Sequence, residues 1–224
     1  MELAKYIDKI FVINLDYRKD RLEQITSELL KVGITDFERF SAIKPTENML
    51  KDEYNYYLHN ANIKYRIGAL GCLLSHLEII KIAKDNNYKK ILIFEDDCQF
   101  TGSINILISA LDQLEEKNNK YKLLYLAGNH IKKCSAFSEN VVKVNGTFTT
   151  HSYIVTSAAY DGIIEGLSRF NREVDNYYIR IYQPKNECYC VFPSITTQID
   201  GISDINNSFV SRYKDIRDNV EQSA

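Results

Sequence analysis

The sequence predicts an α/β domain, a sheet with helices packed on its faces. Three observations lead there. Short runs of Ile, Val, Leu and Phe alternate with helix-period stretches through the first half of the chain. Turn residues bound most of those runs. The chain also has 224 residues, of which 45% are hydrophobic and 26% charged, enough for one substantial core.

In order along the chain, "KIFVINL" (Lys9 to Leu15) reads as a buried strand. Asp16 is placed to cap a helix from Tyr17 to Lys31, with Leu22, Ile25, Leu29 and Leu30 as its apolar stripe and Gly33 as its stop. "FERFSAI" (Phe37 to Ile43) is a second strand that runs into a loop at Pro45. Residues 46–66 are polar, Tyr-rich and aperiodic, and read as an insert or lid. Gly68 to Asn86 is a helix apolar on most faces, so it is expected to be buried. Lys90 to Asp97 is a strand that ends in three acids. Ile104 to Glu116 is a helix and Tyr121 to Ala127 a strand. Shorter strands follow at Val141 to Val144 and Ser152 to Thr156. Helices are expected at Ala158 to Phe170 and Val174 to Tyr182, and late strands at Cys188 to Phe192 and Ile195 to Ile199. No linker interrupts this order, so residues 1–208 read as a single domain and 209–224 as a charged tail.

Composition narrows the function classes. A net charge of -2 gives no general grip on nucleic acid or anionic lipid. No apolar run approaches a transmembrane span, and "MELAKYIDKIFVINLD" has no signal-peptide pattern. The five cysteines are odd in number, and Cys188-x-Cys190 does not match the common zinc spacings. Reduced thiols and a cytoplasmic chain, free or at the periphery of a membrane, are the expectation.

The chemistry concentrates in a few stretches. In "ILIFEDDCQF", four apolar residues run into Glu95, Asp96 and Asp97. If the strand persists, Glu95 and Asp97 face one side and Asp96 the other. Two carboxylates about 4 Å apart repel by roughly 4 kcal/mol at an effective dielectric near 20. Protonation, an Arg or Lys partner, or a divalent cation relieves that repulsion, and oxygen-only ligation favours Mg²⁺ or Mn²⁺. The bland alternative is a solvated turn. In "VINLDYRKDR", Arg18 and Arg21 sit three apart in the first turns of a helix, where cations are disfavoured. Either a phosphate or the neighbouring Asp16 and Asp20 answers that conflict. Ser75-His76 lies inside an apolar helix, where a lone His is more often hydrogen-bonded core than a ligand. "THSY" (Thr150 to Tyr153) brings a hydroxyl and an imidazole to the start of a strand.

Taken in order, these stretches resemble glycosyltransferase family 25, which includes lipooligosaccharide glycosyltransferases and collagen galactosyltransferases. "FVINLDYRKDR" is similar to the family's opening. "GALGCLLSHLEIIKIAKDNNYKKILIFEDDCQF" resembles its most diagnostic block. "RFSAI", "THSYIVTSAAYDGII", "VDNYYI" and "QIDGISDINNS" match weaker segments, so the resemblance covers residues 10–208. It departs at Lys44-Pro45-Thr46, which lacks the Asp-Gly often found there, and at "KNECYC".

The resemblance implies the GT-A type of fold, a Rossmann-like mixed sheet with helices on both faces that binds a nucleotide sugar. It implies transfer of galactose or glucose from a UDP-hexose to an oligosaccharide or a glycoprotein or collagen-like acceptor, with inversion and with Mn²⁺ or Mg²⁺. On this reading Asp97 is the direct metal ligand, and Glu95 and Asp96 serve the ribose or metal-bound water. Asn14, Leu15, Arg18 and Arg21 meet the base and phosphates. Ser75 and His76 shape the nucleotide pocket. Asp175 is the acceptor base, with N-capping of the following helix as its alternative role, and Asp204 and His151 are secondary metal or acceptor groups. An inactive GT-A scaffold, a glycan-binding module and a magnesium-dependent phosphohydrolase are the competing classes.

Overall fold

The computed structural model describes residues 2–50, 61–117, 120–169 and 171–205, and the backbone of 209–210. Fourteen strands appear among these residues. They are β1 (Lys9–Asn14), β2 (Glu38–Ser41), β3 (Lys90–Glu95), β4 (Cys98–Phe100), β5 (Leu123–Tyr125), β6 (Asn129–His130), β7 (Ser135–Ser138), β8 (Val141–Lys143), β9 (Thr147–Phe148), β10 (Ser152–Thr156), β11 (Cys188–Val191), β12 (Thr196–Gln198), β13 (Gly201–Ile202) and β14 (Phe209–Val210). The α-helices are α1 (Lys19–Lys31), α2 (Ile63–Asp85), α3 (Ile104–Lys117), α4 (Tyr160–Leu167) and α5 (Val174–Tyr177).

Eight strands form one mixed sheet in the order β2-β1-β3-β10-β5-β11-β8-β7. β1 lies parallel to both β2 and β3, whereas β10 runs antiparallel between β3 and β5. Side-chain alternation along each strand divides the core in two. Phe11, Ile13, Ile91, Ile93, Tyr125 and Tyr153 face one way, onto α2, α4 and α5. Ile10, Val12, Leu92, Phe94, Leu124 and Ile154 face the other way, onto α1 and α3. The expected α/β sheet with helices on both faces is therefore what the chain forms.

Four local expectations are corrected. α1 begins at Lys19, and its N-cap is Arg18, with no side-chain cap. Asp16 instead accepts hydrogen bonds from Arg39 Nη2 at 2.6 Å and Ser41 Oγ at 2.8 Å, tying the β1 loop to β2. Leu30 is 54% exposed, because the buried stripe of α1 runs through Ile25, Glu28 and Leu29. The third strand stops at Glu95, so Asp96 and Asp97 form a turn into β4 and do not extend the alternation. α2 starts at Ile63, five residues before Gly68, where the Asn62 side chain accepts from the Tyr65 N–H. Gly33 does close α1, at φ 78°, a conformation suited to glycine. Of the expected 46–66 insert, residues 51–60 lie outside the described residues, as does 211–224 of the expected tail.

One close approach positions the later chemistry. The loop after β2 presses on α2 at Gly71, where an added Cβ would sit 2.6 Å from the Ile43 carbonyl oxygen and 2.9 Å from Pro45 Cδ. Ser75, one turn further on, locks the same contact. Its hydroxyl donates to the Gly71 carbonyl at 2.7 Å and accepts the Ile43 N–H at 2.9 Å. Gly71→Ala is expected to lower stability by about 1–3 kcal/mol in urea denaturation, because backbone must move to admit the methyl group. A midpoint equal to that of the native chain would show that the loop yields without cost.

Candidate active site

A cavity of about 490 Å³ opens where β1 and β3 end. Its wall includes Asn14, Leu15, Tyr17 and Arg21 from the β1–α1 region, Lys44 and Pro45 from the loop after β2, and Ser75 and His76 from α2. Glu95, Asp96, Asp97 and Asp204 add four carboxylates.

Asp96 is the structural member of the acidic trio. It is 8% exposed and accepts from Asn14 Nδ2 at 2.8 Å and from Arg21 Nη1 at 3.1 Å. Burial raises its pKa above the usual carboxylate value, against the pull of Asn14 and Arg21. The same Asn14 amide donates to the Arg18 carbonyl at 3.0 Å, and its oxygen accepts from Arg39 Nε at 2.9 Å. Arg21 Nη2 reaches the Ile202 carbonyl at 2.6 Å. One knot therefore fixes the ends of β1 and β3, the start of α1 and the strap at 201–205.

Glu95 points to the other face. Its carboxylate accepts from Thr150 Oγ1 at 2.7 Å and lies 3.3 Å from His76 Nε2. Burial pushes its pKa up, but the contacts with His76 and Thr150 outweigh that and hold it below the usual range. The opposite His76 nitrogen is 2.9 Å from the Tyr153 hydroxyl. Asp97 takes a third direction, with both oxygens 3.2 Å from Gln198 Nε2 on β12.

Arg18 stands outside the helix as its N-cap, with non-helical φ and ψ, yet both arginines reach Asp204, Arg21 at 3.7 Å. Arg18 pairs with Asp20 at 2.9 Å and with Asp204, which also accepts from the Tyr17 hydroxyl at 2.9 Å. Asp20 and Asp204 thus answer the helix-end conflict within the protein, and Arg18 lies outside the cavity wall. His151 lines neither of the two cavities described here. It is buried, with Nε2 3.2 Å from Thr196 Oγ1, and its carbonyl accepts the Glu95 N–H at 2.9 Å.

A second cavity, of about 140 Å³, adjoins the first through Cys72, Glu95 and Ile205, which line both. Tyr65, Thr150, Glu173 and Asp175 line it as well. Asp175 does not cap its helix, because Glu173 holds the N-cap position of α5. Its Oδ1 accepts the Asn176 N–H at 2.8 Å. Burial, with Glu173 and Glu95 nearby, lifts its pKa to about 6. Tyr65 hydrogen-bonds Glu173 at 3.1 Å, and burial and Glu173 raise its pKa.

Sequence reasoning missed Tyr65, Thr150 as the partner of Glu95, and Cys72. For Cys72 a signal was present, since it stands four residues before His76 on one helix face. Tyr65 falls in the aperiodic stretch, where no pattern pointed to it.

A mixed α/β sheet whose strands end at a carboxylate-lined cavity defines the class of α/β domains that bind ligands at the carboxyl ends of their strands. The particular family follows from comparison. The family model described as glycosyltransferase family 25 (LPS biosynthesis protein) matches residues 7–178, and the chain belongs to that family. A glycosyltransferase 25 family member of Drosophila melanogaster is 27% identical over 170 residues, 67% of this chain and 26% of the relative. Human procollagen galactosyltransferase 2 is 24% identical over 165 residues, 66% of this chain and 26% of that protein. The chain thus spans about a quarter of the length of these curated relatives. A solved glycosyltransferase involved in glycosylating the major capsid of PBCV-1 aligns over 81% of each chain at 9% identity, with a TM-score of 0.42.

Two outcomes follow from the electrostatics. Asp175 has its folded pKa raised, so its contribution to stability is full below about pH 4 and is lost as pH rises through about 6. Asp175→Asn is therefore expected to stabilise the fold at pH 8 and to flatten the pH–stability curve between pH 4 and 6; an unchanged curve would contradict the assigned burial. Arg21→Met leaves Asp96 buried without its cation and is expected to cost about 3 kcal/mol at pH 7, and a thermal shift within error of zero would remove Asp96 from its central position.

Proposed function

We propose that the chain is a divalent-metal-dependent hexosyltransferase that moves galactose or glucose from a UDP-sugar to a hydroxyl of a glycan or of a glycoprotein or collagen-like acceptor, with inversion. The observation that carries this reading is the junction of the two cavities. The larger one is lined by Asn14, Asp97 and Asp204, and the smaller one by a buried carboxyl poised near neutrality.

The larger cavity suits the donor. The Asn14-Leu15 turn meets the base and ribose, and Tyr17, 56% exposed and lining the cavity, offers a ring face. Arg21 and Lys44 supply positive charge at the wall for phosphate. Asp97 and Asp204 are the oxygen donors that would hold Mn²⁺ or Mg²⁺, Asp204 in exchange for its ion pairs with Arg18 and Arg21. Both carboxylates line one cavity, and such ions are held by one or two carboxylates with substrate phosphates completing the shell. When bound, the cation supplies Lewis-acid neutralisation of the departing diphosphate. Asp96, already satisfied by Asn14 and Arg21, holds the turn in place.

The smaller cavity suits the acceptor. Asp175 takes the proton of the acceptor hydroxyl as its oxygen bonds the anomeric carbon and the bond to the diphosphate breaks, releasing UDP. A pKa of about 6 leaves Asp175 ionised at pH 7 and more basic than a free aspartate, as a general base requires. Glu95 stands between the two ligands, oriented by His76 and Thr150. The cysteines, which are all outside disulfides, fit a reducing cytoplasmic setting, with a lipid-linked acceptor at a membrane surface. Among the described residues no helix is long and apolar enough to cross a membrane.

Calorimetric titration with UDP and UDP-hexoses, with Mn²⁺ or with chelator, tests the donor site. Metal-dependent binding that Asp97→Ala abolishes is the expected result, and equal binding by the variant would exclude Asp97 as ligand. Asp175→Asn is expected to keep donor binding while lowering transfer about 10²–10⁴-fold. Transfer by the native chain should rise with pH through about 6. Retained turnover in Asp175→Asn would reassign the base.

A further inference from the structure

We infer that Cys72, His76 and Glu95 form a second metal site, for a zinc-type transition ion, at the junction of the two cavities. Cys72 Sγ, a His76 ring nitrogen and a Glu95 carboxylate oxygen lie within 4.8 Å of one another, the one such three-residue group among the described residues. Cys72 and His76 are four residues apart on α2, so their side chains rise from the same helix face. Glu95 ends β3 and approaches that face from the sheet. This inference stands independently of the donor reading above, because Asp97 and Asp204 contribute nothing to it.

The geometry is close to what zinc needs. Bonds of about 2.0–2.3 Å in a tetrahedron place ligand atoms about 3.3–3.7 Å apart. His76 Nε2 and Glu95 Oε1 are already 3.3 Å apart, and Cys72 Sγ lies within 4.8 Å of both residues' ligand atoms, so the thiol is the group that must close on the ion. The surrounding groups also fit. A metal-bound imidazole usually has its other nitrogen held by a partner, and His76 Nδ1 is 2.9 Å from the Tyr153 hydroxyl, which in turn lies 3.4 Å from Tyr178 OH. Thr150 donates to the Glu95 carboxylate at 2.7 Å and so orients it. On metal binding the thiol proton leaves to solvent, the thiolate and the carboxylate carry the charge, and His76 binds through neutral Nε2 with Nδ1–H donating to Tyr153.

The donor set decides the ion. Thiolate and imidazole favour Zn²⁺ or Co²⁺ and not the hard Mg²⁺. All three residues line the larger cavity, and Cys72 and Glu95 line the smaller one too. A fourth coordination position therefore faces the junction of the two cavities, as in zinc sites that keep an open position for water or another ligand.

The test uses the full chain stripped with chelator and titrated with Co²⁺ without nucleotide, followed by absorption. One equivalent is expected to give the sulfur-to-cobalt charge-transfer band and the intense visible bands of tetrahedral Co²⁺, both erased by Zn²⁺. Cys72→Ser should lose the charge-transfer band, Tyr153→Phe should weaken the ion at least about tenfold, and Asp97→Asn should leave the spectrum unchanged. In the native chain, Zn²⁺ should slow alkylation of Cys72 at least about tenfold by peptide mass spectrometry, a readout that needs no variant. No thiolate band, an unchanged band in Cys72→Ser, or alkylation indifferent to Zn²⁺ would overturn the site and leave His76–Glu95 as a hydrogen bond that orients the carboxylate. Loss of the Asp97-dependent donor binding would bear on the proposed function and not on this site.

Discussion

The buried carboxylate of Asp96 is the constraint on which the rest of the site depends. An ionised carboxylate at 8% exposure carries a desolvation penalty of several kcal/mol unless it is paired and hydrogen-bonded. Asn14 and Arg21 supply those contacts, and neither is local in sequence to Asp96. Satisfying it therefore fixes the end of β1 against the end of β3 and turns α1 so that Arg21 points inward. Because Arg21 also holds the Ile202 carbonyl, the strap carrying Asp204 is drawn over the same cavity.

Chain direction then separates the roles of the three acids. Glu95 belongs to the last strand position and is received by His76 on α2 and by Thr150 just before β10. Asp96 turns toward β1, and Asp97, past the end of the strand, turns toward Gln198 on β12. Three adjacent carboxylates thereby find separate partners, although, beside burial, the charge of Glu95 still helps to raise the pKa of Asp96. The same divergence sets Glu95 at the junction of the cavities and leaves Asp97 at the wall of the larger one. Asp175 belongs to a different element and a different environment, in which burial and like charges raise its pKa. Glu95 is thus held below the usual carboxylate range while Asp175 is lifted to about 6, the separation of carboxyl pKa values that the proposed acid–base chemistry uses.

Much of the fold was legible because it follows from period. β1, β3 and α2 are apolar in the pattern their burial demands, and they appear within a few residues of their expected bounds. The short strands β4, β6, β7 and β9 were not legible, since two to four residues carry no measurable period. Asp16 misled for a physical reason. Its residue type suits an N-cap, but Arg39 and Ser41 on the neighbouring strand compete for the same oxygen. In the site, the acidic trio was visible at the end of a buried strand, but its three directions were not, because the strand stops at Glu95, two residues before the expected end at Asp97. Asp204 and Asp175 were legible only through family resemblance. The Cys72–His76 pair was legible as helical spacing, and only the approach of Glu95 from the sheet gives that spacing a chemical meaning.

The central claim is that the ends of β1 and β3 build a nucleotide-sugar donor site. A crystal structure of the chain with UDP and Mn²⁺ tests it most directly. The account predicts the diphosphate beside Asp97 and Asp204, the base and ribose along the Asn14-Leu15 turn, and an intact Asn14–Asp96–Arg21 knot beneath. UDP bound elsewhere on the molecule, or bound in this cavity with Asp97 and Asp204 both remote from the diphosphate, would contradict it.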